Sequence, residues 1–560
     1  MEESTKDSTR IPQILRMSAD KIRVNPRDPC AIKFTPENAY IYSKDPVFRM
    51  LRGWTLFFLL VCLNVNAQFT DRYWAFGDSA AIDFSIPSNP VPGTSILRVR
   101  GTCVSICDST GELLFYAASP YVPYWLSGST YKEGYVVNKN NEMMENGDTI
   151  IGTTLYQQMV VTPNPGNPQQ FYLFSCEVTP GVDQGFYWSL VDLSYNGGLG
   201  RVIQKNVQLQ NFPVNDGIAA VKHGNGRDWW VVHKEGYIGQ LTDAFYTYLV
   251  TDVGVDIRPV QNIGRASETN LLRLKFSNDG SKLVSTDANH FIDLFDFDRC
   301  SGLLSNPQIV HQRQVTTLNG AFWSSEFSPD ETKLYLTTIP YGNNDSISCL
   351  IQFDLQAPDI QASMDTLQIS LAPYAYGFLK LAPDNRIYLA SRSDASDCEF
   401  FYLYCDTTYY PEIMNLSVIH QPNELGALCD FRPYSFYLGG HRSYHGLPNN
   451  PNYELGPLAG SSCDTLTTAV TGPAALTAAQ LKLFFHSGWR QLFVNGQGLQ
   501  GTRGGLSLYS ITGQLLRHEA VDIQPPYYTR QWDLSTLAGG VYIVVLETAR
   551  ERLSGRVVVE

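Results

Sequence analysis

The chain has 560 residues, a formal net charge of −13 at pH 7, and 44% hydrophobic and 12% aromatic residues. This length allows one large or several medium domains, and the acidic balance argues against nucleic acid or an anionic membrane as a partner, because both need basic surfaces. Abundant aromatic residues, plentiful Gly and Pro, and few amphipathic helical stretches predict an all-β fold.

Residues 50–67 have the pattern of a secretory signal peptide. Arg52 supplies a positive start, and residues 56–63 form an apolar stretch that is too short to span a bilayer. Val65 and Ala67 then place small residues at the two positions that a signal peptidase reads. The short apolar run disfavours the alternative, which is a membrane anchor with a cytoplasmic tail.

The expected cleavage lies between Ala67 and Gln68. Because a signal peptide is read at the extreme N-terminus, we interpret residues 1–49 as a mis-assigned N-terminal extension and Met50 as the translation start. We therefore expect a mature chain that has no transmembrane span and is secreted or held on the outer cell surface.

The chain has eleven cysteines, of which nine follow the expected cleavage site and would lie in an oxidising exterior, where disulfides persist. None has the Cys-x-x-Cys spacing of a zinc site. Two pairs are close enough in sequence to bridge locally, and a third would join the linker to the main domain, but the connectivity stays open. These pairs are, in that order, Cys103 with Cys107, Cys398 with Cys405, and Cys429 with Cys463.

A strand, a polar turn and a second apolar strand recur through the middle of the chain. The clearest copies surround Asp279, Asp330 and Asp384, which lie 51 and 54 residues apart. Asp, Asn and Gly tolerate the backbone conformations of tight turns, and the flanking aromatic and branched residues suit strands. Each copy therefore predicts a hairpin inside a four-stranded unit.

Six such turns occur, near residues 110, 167, 226, 280, 331 and 385. One unit cannot bury both of its faces, whereas units packed around an axis can, so the repeat predicts a β-propeller over residues 69–456. Extending the interval once more predicts a seventh blade, in which residues 71–84 pair with residues 431–438. The predicted fold is an all-β, seven-bladed propeller with a further small domain.

The turns resemble those of WD40-like and lactonase-like propellers, through Phe-Ser-x-Asp-Gly-x-Lys-Leu at residues 276–283 and the acidic and aromatic run at 296–304. Two motifs are similar to those of surface propellers from type IX-secreting bacteria. Residues 74–84 read Trp-x-Phe-Gly-x-x-Ala-x-x-Asp-Phe, and residues 446–449 read Gly-Leu-Pro-Asn. This resemblance implies a propeller fold and leaves the activity open.

The end of the chain has a different pattern. Residues 457–480 are rich in small and polar residues and predict a linker. Residues 481–560 hold short strands separated by turns that contain Gly, which is typical of a small β-sandwich.

This C-terminal module resembles the type A sorting domain of type IX secretion, through residues 508–516 and 534–543. The resemblance implies that the type IX secretion machinery recognises residues 481–560 as an export address. A generic immunoglobulin-like spacer is the alternative interpretation. The motif residues are Gly513, Leu534, Gly540, Val541 and Tyr542.

Three polar groups contain residue types that catalysis or metal binding could use. In the histidine group, ten residues and a turn separate the two histidines, which does not fix a shared face. The aspartate group lacks the Gly and distal Glu of a calcium loop. The third group suits loop packing beside the ring closure. We therefore predict no catalytic, cofactor-binding or metal site and no cofactor. The groups are His223 with Asp228 and His233, Asp293 with Asp296 and Asp298, and residues 441–445.

Aromatic residues in predicted loops are candidates for sugar stacking or protein contacts, because loops on a rigid scaffold often carry function. The same residues also suit packing between blades. They are Tyr121, Tyr124, Trp125, Tyr374 and Tyr376.

The leading functional hypothesis is a non-enzymatic propeller that binds a polysaccharide or another surface protein. One alternative is a lactonase-like or polysaccharide-cleaving enzyme that works from an axial pocket, where two or three acid, base or metal groups from different blades would converge. Another alternative is a structural component of the gliding or secretion apparatus. Fold alone does not separate these classes.

Overall fold

The computed structural model describes residues 70–119, 134–152, 155–178, 185–236, 239–289, 291–312, 321–340, 347–371, 373–393, 409–464, 479–486, 490–523 and 527–559. In these ranges the chain is all-β. Helical structure there is confined to α1 (Pro411–Met414) and three 3₁₀ turns, at Asn196–Gly198, Gln361–Ser363 and Gly426–Cys429. Within the same ranges, no helix has the length and apolar character needed to cross a membrane.

Seven antiparallel sheets follow one another from residue 73 to residue 437, and each uses strands that are consecutive in the chain. Sheet 1 contains β1 (Tyr73–Phe76), β2 (Asp78–Asp83) and β3 (Val91–Arg98). Sheet 2 contains β4 (Cys103–Cys107), β5 (Leu113–Ala118) and β6 (Tyr135–Asn138). Sheet 3 contains β7 (Met159–Asn164), β8 (Asn167–Glu177), β9 (Gly185–Asp192) and β10 (Arg201–Gln210).

The next four sheets have four or five strands each. Sheet 4 contains β11 (Val214–Lys222), β12 (Trp229–Glu235), β13 (Thr242–Thr251), β14 (Gly254–Ile257) and β15 (Gln261–Ser267), with β14 and β15 both paired to β13. Sheet 5 contains β16 (Leu272–Phe276), β17 (Lys282–Asp287), β18 (Phe291–Asp298) and β19 (Leu303–Gln312). Sheet 6 contains β20 (Ala321–Phe327), β21 (Lys333–Ile339), β22 (Ile347–Asp354) and β23 (Asp365–Leu371). Sheet 7 contains β24 (Tyr374–Leu381), β25 (Ile387–Ser393), β26 (Asn415–Ile419) and β27 (Phe431–Tyr437).

The first strands of neighbouring sheets contact one another in order, from β1 through β4, β7, β11, β16 and β20 to β24. Sheet 7 meets sheet 1 through aromatic packing, because the ring centroids of Trp74 and Tyr388 lie 5.8 Å apart and Phe84 contacts both rings. Sheets arranged in this way around an axis form a propeller-like fold. The apolar core lies in the layers between adjacent sheets.

The repeated aspartates stabilise the hairpins. In the turn between β16 and β17, Oδ1 of Asp279 accepts hydrogen bonds from the backbone N–H of Ser281 (2.8 Å) and the hydroxyl of Ser277 (2.7 Å). Gly280 follows with a φ of +74°, a conformation that glycine adopts readily. Asp330 makes the equivalent contacts between β20 and β21. The predicted hairpins at both turns are confirmed.

The predicted pairing of residues 71–84 with residues 431–438 is wrong. β1 pairs with β2 inside sheet 1, and β27 pairs with β26 inside sheet 7. Gly77 gives the physical reason, because its φ of +58° turns the chain and produces two short strands where one was expected. A lone bridge between Asp78 and Arg442 joins sheet 1 to the segment that follows sheet 7.

Cysteine pairing also differs from the prediction. Cys463 forms a disulfide with Cys300, which lies between β18 and β19, and Cys429 is a buried free thiol. The proposed pair of Cys429 with Cys463 is therefore wrong. The suggestion failed because residues far apart in sequence are joined by the packing of the ring, which spacing does not reveal.

Cys103 and Cys107 are not bridged either, and both thiols are buried and free. They lie four residues apart on β4, a spacing of about 13 Å along an extended strand. A disulfide requires its two Cα atoms to lie within about 7 Å. The third suggested pair, Cys398 with Cys405, lies outside the described residues.

Two further sheets follow at the C-terminal end. Sheet 8 contains β28 (Gln480–His486), β29 (Gln491–Gln497) and β32 (Tyr527–Asp533), and sheet 9 contains β30 (Arg503–Ser510), β31 (Leu515–Asp522), β33 (Gly540–Thr548) and β34 (Arg552–Val559). Leu492 and Trp532 of sheet 8 share one buried cluster with Leu508 and Val544 of sheet 9. Both sheets therefore contribute to one small core.

Candidate functional site

Residues 445–454, here called the axial segment, run along the axis between the first strands. At one end, the backbone N–H of His445 donates to the carbonyl of Arg100 (3.1 Å), just before β4 begins. At the other end, Nδ2 of Asn452 donates to the carbonyl of Asn278 (2.8 Å), just after β16 ends. The segment therefore passes from the starts of the first strands to their ends.

Two asparagines hold the axial segment in place. Nδ2 of Asn449 donates to the carbonyls of Met159 and Ile218, both at 2.8 Å. Asn450 donates to Oδ1 of Asp71 (2.6 Å) and accepts from the backbone N–H of Ser105 (3.0 Å). Because an asparagine side chain is both donor and acceptor, it satisfies backbone groups that face the axis. The Gly-Leu-Pro-Asn motif thus lies inside the ring.

A cavity of about 60 Å³, measured as space for the centres of water molecules, remains beside the axial segment. Five charged side chains line it, and four of them form two ion pairs, Lys275 with Glu326 (2.7 Å) and Lys380 with Asp71 (3.1 Å). The fifth, Glu454, accepts hydrogen bonds through Oε1 from the backbone N–H (3.1 Å) and the hydroxyl (2.6 Å) of Thr70. Burial raises the pKa of Asp71 while Lys380 opposes the shift, and burial lowers the pKa of Lys380. The carboxylates of Asp71 and Glu326 each have a cationic partner, so neither is an unengaged general base.

A second charged group lies at the end of the ring where the first strands begin. Nη1 of Arg273 pairs with Oδ2 of Asp216 at 2.9 Å. The Arg273 guanidinium carbon lies 5.1 Å from the ring centroid of Tyr156, 4.9 Å from Trp323 and 5.7 Å from Phe378. These rings stabilise the buried cation by cation–π contact. We call Arg273 and its neighbours at this end the arginine cluster, which also includes Arg100, Arg392 and His445.

His445 is fully buried among these cations. Burial, together with the charges of Arg392, Arg100 and Arg273, holds the pKa of His445 well below its usual value. The imidazole is therefore neutral at physiological pH, with one nitrogen as a donor and the other as an acceptor.

The two histidines considered from sequence lie apart and make structural contacts. The ring of His223 accepts from the backbone N–H of Asn225 (3.0 Å) in the turn after β11. His233 lies on β12, with Nε2 2.7 Å from Oε1 of Gln210 and 3.0 Å from the hydroxyl of Tyr248. Burial lowers the pKa of His233 to about 3. The structure does not bring these histidines into one site.

The three aspartates of the suggested calcium run have separate partners. Asp293 pairs with Arg265 (2.6 Å), and Asp296 pairs with Lys282 (2.9 Å). Asp298 accepts a hydrogen bond in the turn after β18. Among the described parts of the chain, no group of three or more His, Cys, Asp or Glu side chains could hold a metal ion.

The remaining candidate residues are placed by the structure as follows. Tyr376 was expected in a loop but is buried on β24, and Tyr374 begins the same strand. The expectation for Tyr376 was wrong because Tyr374–Leu381 form the first strand of a sheet. The loop aromatics Tyr121, Tyr124 and Trp125 and the cleavage residues Ala67 and Gln68 lie outside the described residues.

The residues of the proposed sorting motif lie in and beside sheet 9. Gly513 has a φ of +84° in the turn between β30 and β31, and Leu534 is buried in the cluster shared by sheets 8 and 9. Gly540, Val541 and Tyr542 begin β33. Their role in sorting stays a prediction.

Sequence analysis missed the arginine cluster, because its members are single residues on separate strands. One local signal was present in Leu272-Arg273-Leu274-Lys275-Phe276, where basic and apolar residues alternate in a strand that is buried almost throughout. With a period of two, Arg273 and Lys275 face the same side of the sheet. Two basic residues on one face of a buried strand indicate that this face lines a polar channel.

No protein-family model matches this chain, and no curated protein matches it in sequence. Among solved structures, the chain is similar to the periplasmic gluconolactonase of Pseudomonas aeruginosa (13% identity, TM-score 0.32), with 73% of this chain and 97% of that chain covered. It is also similar to a quinonprotein alcohol dehydrogenase-like protein of Bacteroides thetaiotaomicron (10% identity, TM-score 0.34), with 63% of this chain and 73% of that chain covered. A third similar structure is the β-propeller domain of Myceliophteria thermophila Cps50 (11% identity, TM-score 0.32), with 59% of this chain and 95% of that chain covered. Similarity at this level assigns no activity.

Proposed function

We propose that the chain is a secreted or outer-surface binding module. It is a seven-bladed β-propeller that binds a polysaccharide or another surface protein, followed by a small β-sandwich that addresses the chain to the type IX secretion machinery. The observation that carries the proposal is the filling of the axis by residues 445–454. With the axis filled, the loops and outer strands are the surfaces left for a large ligand.

The chemistry of the axial cavity supports binding over catalysis. Of its three acidic side chains, Asp71 and Glu326 are each held by a lysine within 3.1 Å. The third, Glu454, accepts two hydrogen bonds from Thr70. A general acid–base mechanism needs a group that can exchange a proton with the substrate near neutral pH. An ion-paired carboxylate that also accepts backbone or asparagine hydrogen bonds is poorly suited to that task.

The disulfide supports an extracytoplasmic location. Cys300 and Cys463 are bridged across 163 residues of sequence. Structural disulfides persist in oxidising compartments and are rare in the reducing cytosol. This agrees with the expected signal peptide at residues 50–67.

The export proposal is tested by exchanging the C-terminal module. A chain that ends at Asp464, and a second chain in which residues 479–560 are replaced by an unrelated immunoglobulin-like domain, are compared with the full chain in a type IX-competent host. We expect only the full chain to become accessible to protease at the cell surface, while both altered chains stay in the periplasm. Equal surface exposure of the exchanged chain would show that the module is a spacer.

The binding proposal is tested with the full secreted chain on a glycan array and against purified outer-surface proteins. We expect saturable binding of a defined partner, and mass spectrometry of a bound glycan before and after incubation should show no change in mass. Shortened glycans or ring-opened lactones would favour the enzymatic alternative. Absence of any saturable partner would contradict the binding proposal.

A further inference from the structure

Besides Arg273, which pairs with Asp216, the arginine cluster places two further arginines at the same end of the axis. Arg273 is the second residue of β16, Arg100 precedes β4, and Arg392 lies near the end of β25. All three act on His445 in the same direction, because each disfavours its protonation. Residues from three sheets and the start of the axial segment therefore meet at this end of the axis, where Asp216 pairs with Arg273.

Arg273 and His445 also have polar atoms without hydrogen-bond partners among the described residues. Nε and Nη2 of Arg273 are buried in this way, as are both ring nitrogens of His445. The exposed fractions are 4% for Arg273 and 0% for His445. The surrounding aromatic rings attract the cation but provide no strong acceptor for its N–H groups. Burying such donors without an acceptor is energetically unfavourable.

A small cavity lies beside Arg273. It has about 30 Å³ of space for the centres of water-sized molecules, which is room for about two waters. Arg273 lines it together with Lys275 and Lys380, which are ion-paired with Glu326 and Asp71, and Gln157 and Ser324 supply polar groups. Space of this size and charge suits a small group that carries negatively charged oxygens and does not suit a sugar ring.

We propose that the cavity beside Arg273 is a binding site for a small oxoanion, in which the Arg273 guanidinium is the principal donor. The ligand is a carboxylate, sulfate or phosphate group, either as a free ion or as the acidic group of a saccharide. The planar fork of an arginine matches two oxygens of such a group, which chloride lacks. This proposal stands on the geometry of the cluster and does not depend on the proposed binding function.

The first test uses the full secreted chain and titration calorimetry at constant ionic strength. Sodium sulfate, sodium acetate and sodium glucuronate are the probes, and sodium chloride is the reference. We expect saturable binding of at least one oxoanion and a matching rise in the thermal unfolding midpoint. Tighter binding of glucuronate than acetate indicates an acidic saccharide, and equal binding indicates a free ion. No saturable binding by any of the three overturns the proposal.

The second test uses a pair of matched variants. Arg273→Lys keeps the positive charge but removes the fork, so we expect at least tenfold weaker oxoanion binding. Arg265→Lys is the control, because Arg265 also pairs with a buried aspartate, Asp293, but this pair joins β15 to β18 and not the first strands of the sheets. Equal binding by Arg273→Lys and wild type, or an equal loss in Arg265→Lys, overturns the assignment to Arg273. Circular dichroism checks that both variants fold. If Arg273→Lys does not fold, Ser324→Val replaces it, because added bulk in the lining of the cavity is expected to weaken binding several-fold.

Discussion

Glu331 joins two neighbouring hairpins through a single side chain. The backbone N–H of Asp279 donates to Oε1 of Glu331 at 2.6 Å, which links the turn after β16 to the turn after β20. Burial raises the pKa of Glu331 to about 7; the hydrogen bond opposes this shift, and the Asp279 carboxylate adds to it. The folded state therefore favours the protonated acid at pH values where an unfolded chain would be ionised.

The sign of the resulting pH dependence follows from linkage. Because the pKa is higher in the folded state, the stabilisation is present below about pH 4.5 and is lost as the pH rises to about 7. Glu331→Gln keeps the acceptor oxygen without the charge, so we expect it to unfold at higher urea concentration than wild type at pH 7, by about 1 kcal/mol after allowance for solvent screening. At pH 4.5 the two should be nearly equal.

Urea unfolding at several pH values measures this difference. Glu112→Gln, an exposed glutamate in the hairpin between β4 and β5, is the control and should follow the wild-type profile. Parallel profiles for wild type and Glu331→Gln would contradict the predicted coupling.

At the scale of single residues, sequence reasoning succeeded where the cause is local. The turn aspartates were identified because an Asp side chain accepts hydrogen bonds from residues two positions away. The arginine cluster was missed because Arg100, Arg273 and Arg392 become neighbours only when the ring has formed. His445 was placed in a packing loop, and its burial among these cations follows from the path of the axial segment.

At the scale of elements, hydrogen bonds and a disulfide hold the stretch of chain that follows the axial segment. Nη2 of Arg299 donates to the carbonyl of Gly456 at 2.6 Å, and the backbone N–H of Leu458 donates to the carbonyl of Gly224 at 2.7 Å. The neighbouring Cys300–Cys463 bridge fixes the same stretch of chain to the turn after β18. The chain that follows the axial segment is thus tied to the hairpins of sheets 4 and 5.

Replacing both cysteines by serine should lower the free energy of unfolding by about 2–4 kcal/mol, because the bridge closes a loop of 163 residues in the unfolded chain. Urea unfolding with and without reductant measures this. Reductant should move the wild-type midpoint to that of the double variant and leave the double variant unchanged. A wild-type midpoint that resists full reduction would contradict the expected contribution.

The hairpins of the repeat could be predicted from sequence, whereas the closure of the ring could not. A turn of Asp, Asn and Gly between branched residues defines a hairpin within about ten residues. The closure depends on Gly77, whose added Cβ would lie 2.5 Å from the carbonyl oxygen of Arg442. Gly77 lies near the start of the ring in sequence and Arg442 follows its last sheet, so sequence spacing carries no information about their contact.

At the scale of the whole molecule, the ring is completed along its axis. The axial segment follows the last sheet in sequence, yet Asn449 bonds to strands of sheets 3 and 4, and Tyr453 donates to the carbonyl of Val161. These contacts join residues more than 200 positions apart, and the entropy of closing such long loops opposes them. The ring is therefore completed by contacts that are far from local in sequence.

The C-terminal sheets have a core of their own, which predicts a separate unfolding transition. Their shared cluster includes Leu492, Trp532 and Val544. One residue of β29, Phe493, packs instead in the cluster of sheets 2 to 4. A core of this size stabilises a small domain only marginally, so sheets 8 and 9 should unfold at a lower temperature than the ring.

Differential scanning calorimetry of the full chain should therefore show two transitions. In a chain that ends at Asp464, only the upper transition should remain, within about 2 °C of its position in the full chain, because the axial segment and the Cys300–Cys463 bridge are retained. The matched control is the full chain with Val544→Ala, which makes a cavity in the C-terminal core and should lower only the first transition. One cooperative transition that moves as a whole in both altered chains would show that the ring and the C-terminal sheets fold as a single unit.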